Sequence, residues 1–138
     1  MKEIRLGSLG NLELSAAPSA LLGSLVLWLA LSAIGIAFLN LSVGEAIIGA
    51  LIAAALYWIS DTVHQLGHAR AAQQTGHPML GVRYWGVLSS SLYSADEPTL
   101  PAAVHIRRAL GGPTTSAFVT IVAAALVYAA RSVGVGGT

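Results

Sequence analysis

Two histidines stand four residues apart in the segment HQLGH, residues 64–68, within a long apolar stretch. On an α-helix, residues four apart lie on one face, so His64 and His68 can both reach a single zinc ion at about 2 Å from each nitrogen. In the related motif H-E-x-x-H, the glutamate takes a proton from zinc-bound water and passes it on. Gln65 stands in that position here, and its amide cannot accept and donate this proton at neutral pH. The spacing therefore predicts two metal ligands without the general base.

The histidine pair allows three interpretations. It can be a polar pair that hydrogen-bonds to Asp61, Gln65 or the backbone. It can bind zinc, or another divalent metal, with incomplete ligation and therefore at low occupancy. Either His64 or His68 can also be the axial ligand of a chlorin pigment or a haem. Because polar side chains inside a membrane helix are costly and usually functional, each interpretation gives these residues a partner.

The composition indicates an integral membrane protein. Hydrophobic residues form 55% of the 138 residues and charged residues only 9%, whereas about a quarter of the residues in a soluble domain are charged. So few charges cannot cover a water-facing surface. The net charge of +1 gives no basis for nucleic-acid binding, and the absence of cysteine excludes disulfides and thiolate metal sites. The length predicts a single membrane domain over residues 1–138.

Three apolar segments are long enough to cross the hydrocarbon core, which takes about 20 helical residues. The sequence therefore predicts an all-α integral membrane fold with about three transmembrane helices. These spans cover about residues 18–39, 46–69 and 114–130.

The remaining segments predict smaller elements at the membrane surface. Residues 1–17 alternate in hydrophobicity, and residues 80–95 are rich in β-branched and aromatic side chains, so both predict short strands in a small cytoplasmic-side β element. Residues 100–110 have a basic side and predict an interfacial helix. The run Gly111-Gly112-Pro113 is expected to end this helix ahead of the third span.

The basic residues predict the orientation, since arginine and lysine favour the cytoplasmic side. Lys2 and Arg5 precede the first span, four arginines lie within residues 70–112, and residues 40–45 contain no basic residue. We therefore expect the N-terminus and residues 70–112 in the cytoplasm and the C-terminus outside, in a bacterial inner membrane. Two of these arginines, Arg107 and Arg108, are expected to anchor at lipid head groups.

The sequence around the histidine pair resembles the site-2 protease family of intramembrane zinc metalloproteases. In that family, a helix bearing H-E-L-G-H-A is followed by a short cytosolic-side sheet, and the next helix starts with A-G-P-x-x-N. The likeness covers about residues 4–128 and implies the same membrane fold. It rests on HQLGHARAAQQTGHPMLGVRYWGVLSSS at 64–91, IRRALGGPTTSAFVTIVAAAL at 106–126 and LGNLELSAAPSALLG at 9–23.

All departures from the family pattern occur at positions that take part in the family's catalytic chemistry. Gln65 replaces the general base, and Ser116 stands at the position of the family's asparagine. The resemblance implies a third zinc ligand, an aspartate on a further helix, and these 138 residues end before such a helix, whereas catalytic zinc needs three protein ligands. Asp61 lies about 10 Å along the helix axis from His68, too far to bind the same ion. We expect Asp61 to be a buried polar partner for His64 or for a neighbouring chain.

We therefore predict a non-catalytic site-2-protease-like protein that is a binding or scaffold subunit of a membrane complex, such as a respiratory or photosynthetic one. The alternative is an intramembrane zinc metalloprotease in an inactive, shortened form, with Gln65 in place of glutamate. The expected partners are other membrane subunits or a second copy, the lipid bilayer, and no nucleic acid. Residues expected to face a partner, where small side chains permit close helix contact, are Gly49, Ala53, Tyr57 and Asp61.

Overall fold

The computed structural model describes residues 2–134 of the chain. It contains two strands, two helices, two further strands and a third helix. All three helices are long and apolar enough to cross a membrane. In chain order the elements are β1 (Ile4–Leu9), β2 (Leu12–Ala16), α1 (Pro18–Leu39), α2 (Val43–Gln74), β3 (Gly81–Trp85), β4 (Leu88–Leu92) and α3 (Ala102–Ser132).

Local sequence signals set the connections between the first two helices. α1 begins at Pro18, where a proline is tolerated because the first helical N–H groups have no partner within the helix. The helix ends at Leu39 and is capped by Asn40, which adopts a left-handed conformation with φ of 52°. Ser42 then caps α2, and its side chain and that of Glu45 form a reciprocal capping box. The two spans are therefore joined by a tight turn.

The four strands form one sheet in the order β1-β2-β3-β4, so the prediction of short strands is confirmed but the description "all-α" needs correction. β1–β2 and β3–β4 are antiparallel hairpins, and β2 pairs with β3 in parallel. The parallel pairing follows from the connection, because α1 and α2 intervene and bring the chain back in the same direction. One face of the sheet, through Val82 and Tyr84, packs with Ala20 of α1 and Ala72 of α2.

α1 and α2 pack through small side chains. Ala46, Ala50 and Ala54 are buried and recur at every fourth position of α2. The indole of Trp28 on α1 donates to the carbonyl oxygen of Ile47 over 3.0 Å, which fixes the pair near the connecting turn. Small residues permit this close approach in a membrane, where packing rather than exclusion of water holds helices together.

α2 and α3 approach so closely that backbone lies against backbone. A Cβ on Gly67 of α2 would overlap the carbonyl oxygen of Gly111, and a Cβ on Gly111 would overlap that of Gly67. A Cβ on Gly112 would overlap both imidazole rings of the histidine pair. Only glycine fits at these three positions, so the crossing point of the two helices is set by the sequence.

The predicted interfacial helix is not a separate element. Residues 102–132 form one continuous helix that includes Gly111, Gly112 and Pro113. The prediction of a break was wrong because it treated the glycines as helix breakers, whereas here they make the contact with α2. A proline inside a membrane helix is tolerated where neighbouring groups satisfy the freed backbone. α2 covers Val43–Gln74 and includes the predicted second span at about residues 46–69.

We predict that Gly111→Ala destabilises the protein by about 1–3 kcal/mol, because the added methyl group meets the backbone of Gly67. Gly44→Ala is the matched control, since its Cβ would meet no atom within 4 Å and alanine is the better helix former by up to about 1 kcal/mol. Thermal unfolding of both variants in the same detergent measures the difference. Equal midpoints would contradict the proposed crossing point.

Candidate functional site

The two histidines of α2 converge on one point. The Nε2 atoms of His64 and His68 are 3.1 Å apart, and their rings stand edge to face with centroids 4.8 Å apart. Zinc binds imidazole nitrogen at about 2.0–2.1 Å, so two nitrogens at this separation can bind one ion. Gly112 of α3 lies against both Nε2 atoms, and any side chain there would fill the space. The predicted one-turn spacing therefore gives two ligands that face a common, unfilled position.

The other ring nitrogen of each histidine is held by α3. Nδ1 of His64 is 2.8 Å from the hydroxyl oxygen of Ser116, and Nδ1 of His68 is 2.7 Å from the carbonyl oxygen of Arg108. The backbone nitrogen of Gly112 is 3.3 Å from the same Nδ1 atom of His68, so two backbone groups of α3 hold this ring. Metal-binding histidines are oriented by such bonds to the second nitrogen. The polar partners of the pair are therefore Ser116 and backbone, not Asp61 or Gln65.

Gln65 is a buried connection between α2 and β4. Its Nε2 donates to the hydroxyl oxygen of Ser89 over 2.7 Å, and the hydroxyl of Ser91 donates to its Oε1 over 2.8 Å. Residues two apart in a strand share a face, so both serines meet the same side chain. Gln65 is only 5% exposed. Both ends of the amide are thus engaged, and the side chain at the position of the general base joins helix to sheet.

The residues present supply part of a zinc site. Between residues 2 and 134, no group of three histidine, aspartate or glutamate side chains is placed to hold a metal ion. The two imidazoles and the space beside Gly112 fit the first two ligand positions, whereas catalytic zinc needs a third protein ligand. Ser116, at the position of the family's asparagine, bonds His64 instead. Zinc at low occupancy, and pigment or haem ligation by His64 or His68, stay predictions.

Arg108 is the centre of a buried polar cluster that the sequence did not predict. It is 4% exposed, and its guanidinium donates to both carboxylate oxygens of Glu97, over 2.8 and 2.5 Å, and to the carbonyl oxygen of His77. The guanidinium also lies 4.1 Å from the ring centre of Tyr93. The expectation that Arg108 anchors at lipid head groups was therefore wrong. These hydrogen bonds hold the pKa of the Glu97 carboxyl below its ordinary value.

This cluster connects the loop before α3 to the histidine pair. The guanidinium of Arg108 donates to Glu97 on that loop. The backbone carbonyl oxygen of Arg108 contacts Nδ1 of His68. Beside it lies a cavity of about 340 Å³ that His68 also lines. Its lining residues are His68, Ser91, Tyr93, Glu97, His105, Arg108 and Ala109.

The residues predicted to face a partner differ in their exposure. Gly49 and Ala53 are exposed, and no atom lies within 4 Å of a Cβ built on Gly49. Tyr57 is 36% exposed, and its hydroxyl donates to the carbonyl oxygen of Val87 in the turn between β3 and β4. Asp61 is partly buried, and its Oδ2 has no hydrogen-bond partner in the part of the chain that the structure describes. The expected pairing of Asp61 with His64 is not formed.

No protein-family model and no curated protein matches this chain. Its fold is similar to that of the Site-2 Protease from Methanocaldococcus jannaschii, with a TM-score of 0.61 and 19% sequence identity. The similarity covers 88% of this chain and 49% of that chain, so this chain spans about half the length of the solved structure. The comparison and the three apolar helices show a membrane protein with a distantly related site-2-protease-like fold.

We predict that the purified chain binds well under one zinc ion per chain, because two imidazoles without a third ligand hold zinc weakly. Metal analysis after dialysis against micromolar zinc measures the ratio. His64→Ala should remove the zinc that is bound, and His77→Ala, which changes a histidine away from the pair, should not. One zinc per chain that is lost in His64→Ala would reveal a third ligand and refute the incomplete site.

Proposed function

We propose that this chain is a non-catalytic binding or scaffold subunit of a larger membrane complex. The observation that carries the proposal is the position of Gln65, whose amide is bound at both ends by Ser89 and Ser91. A general base must be free to exchange a proton with water or substrate. A buried amide whose donor and acceptor are both in use supports a structural connection rather than proton transfer.

The open side of α2 supports the binding part of the proposal. Ala46, Ala50 and Ala54 are buried, whereas Gly49 and Ala53 are exposed, and no atom of residues 2–134 lies within 4 Å of a Cβ built on Gly49. Small residues at the surface of a membrane helix permit another helix to approach closely. We infer that another membrane subunit lies there.

The proposed setting is a bacterial inner membrane. The N-terminus and residues 70–112, which include β3, β4 and the Arg108 cluster, would lie in the cytoplasm, with the C-terminus outside. Basic residues support this orientation, since the positive side of a membrane protein faces the cytoplasm. A respiratory or photosynthetic complex is one assembly that such a subunit would suit.

An intramembrane zinc metalloprotease in an inactive form is the second candidate. Convergence of the two Nε2 atoms at 3.1 Å, with each Nδ1 held by α3, favours it. A simple polar pair does not require both Nδ1 atoms to be held so that both Nε2 atoms face one point, whereas a metal site does. The third ligand would then come from a partner or from residues outside those described, and the glutamine would still have to be replaced by a base.

We predict that Gln65→Glu leaves the chain without peptidase activity. The carboxylate would supply a base, but the third zinc ligand is still absent from residues 2–134. Incubation with a membrane-helix substrate, with and without a chelator, tests this in wild type, Gln65→Glu and Gln65→Glu/His64→Ala. Chelator-sensitive cleavage by Gln65→Glu that the double variant loses would favour the protease.

We also predict that a photo-crosslinker at position 53 captures a membrane protein in the native membrane. Position 52 is the control, because Ile52 is 56% exposed and points about 100° away around the helix. The control should label lipid, and position 53 should give a discrete protein adduct. If both positions label lipid alone and the chain is a monomer in mild detergent, the scaffold function is wrong.

A further inference from the structure

Residues 93–100, which connect β4 to α3, form a mostly exposed segment that we call the strap. Tyr93 and Glu97 are half-buried and Leu100 is buried, whereas the other five residues of the strap are exposed. Within it, the backbone nitrogen of Glu97 donates to the carbonyl oxygen of Ser94 over 3.3 Å and closes a local turn. The strap is therefore a short segment with few buried side chains, and one of them carries a charge.

The side chain of Arg108 on α3 holds the middle of the strap. Its guanidinium donates to both carboxylate oxygens of Glu97, over 2.8 and 2.5 Å, and lies 4.1 Å from the ring centre of Tyr93. The side chains of Arg108 and Glu97 are 5% and 18% exposed. A guanidinium that donates to both oxygens of a carboxylate fixes its direction as well as its distance. Arg108 thus fixes two of the three strap residues that are not exposed.

The strap also forms part of the wall of the cavity of about 340 Å³ that His68 lines. Tyr93 and Glu97 line this cavity from the strap, and Ser91 lines it from β4. Arg108 lines it too, and its backbone carbonyl oxygen is 2.7 Å from Nδ1 of His68. The strap, the cavity and the histidine pair therefore meet at Arg108, and displacement of the strap would widen the cavity beside His68.

An ion pair suits a contact that opens and closes. Withdrawal from water costs both charges much of what their attraction gains, so a buried pair adds little net stability. When the strap lifts, Arg108 and Glu97 regain water, whereas separation of an apolar contact would expose carbon to water. Most other side chains of the strap are already exposed, so lifting it uncovers little else. The closed and open arrangements are therefore close in free energy.

We propose that the strap is a lid over the cavity beside His68 and that the ion pair between Arg108 and Glu97 holds this lid closed. Opening breaks the two hydrogen bonds to Glu97, leaves Arg108 in place on α3, and admits water and small solutes to the cavity. A lid of this kind regulates access to the histidine pair, and it is independent of whether the pair binds zinc.

The test uses a single reporter cysteine, since the chain has no cysteine of its own. Ser91→Cys places a thiol in the cavity wall, and its rate of reaction with uncharged methyl methanethiosulfonate is measured in lipid nanodiscs. We expect Glu97→Gln to raise this rate at least roughly tenfold, because an unpaired Arg108 favours the open arrangement. Ser90→Cys is the matched control: Ser90 is also half-buried but faces the other side of β4, so its rate should stay unchanged.

A spin label on Ala95→Cys, in the exposed part of the strap, reports movement of the strap itself. We expect Glu97→Gln to increase the mobility of this label. Asp96→Asn, which removes an exposed carboxylate from the same strap, should not increase it. If Glu97→Gln fails to fold, Glu97→Ala/Arg108→Met removes the pair without leaving a buried charge, and it should raise both the reaction rate and the label mobility.

An unchanged Ser91→Cys rate after removal of the ion pair would overturn the lid. A faster rate with unchanged label mobility would also overturn it, because loss of a neighbouring negative charge would then account for the more reactive thiol. Equal acceleration at Ser90→Cys would show that β4 as a whole has loosened, which contradicts an opening confined to the strap.

Discussion

The contact between the backbones of Gly67 and Gly111 sets the geometry on which the rest of the site depends. It brings α3 so close to α2 that a single added carbon on either glycine would overlap the other helix. At this distance the carbonyl oxygen of Arg108 and the hydroxyl of Ser116 reach His68 and His64 respectively. Larger residues at the crossing would separate the helices and release both imidazoles.

The polar groups beside this crossing are satisfied mainly by neutral hydrogen bonds. Gln65 bonds two serines of β4, and the histidines bond each other, a serine and a backbone carbonyl. A fully connected polar network in a low-dielectric environment stabilises one arrangement, whereas an unpaired member is costly. The hydrogen bonds of this network therefore favour a single arrangement of the polar residues between α2, α3 and β4.

Two features of α2 remain incomplete within the described residues, and they differ in kind. The two imidazoles hydrogen-bond each other, so the histidine pair can persist without a third group. Asp61 has no such internal partner for its Oδ2. Asp61 therefore differs from the histidine pair, because it leaves a buried polar atom without a partner in the described part of the chain.

The sequence by itself determined the features that depend on neighbours along the chain. The low charge content and apolar lengths predicted three spans. Alternation predicted the strands of residues 1–17, and β-branched and aromatic side chains predicted those of residues 80–95. The four-residue spacing predicted that His64 and His68 share a face. Tertiary structure alone decided how distant groups pair. In the folded chain, Gly111 contacts α2 at the position where a helix break was expected. Arg108 pairs with Glu97 and not with lipid head groups. Hydrophobic periodicity reports which side of an element is buried, but a hydrogen bond or ion pair also requires its partner's position, which only the folded chain supplies.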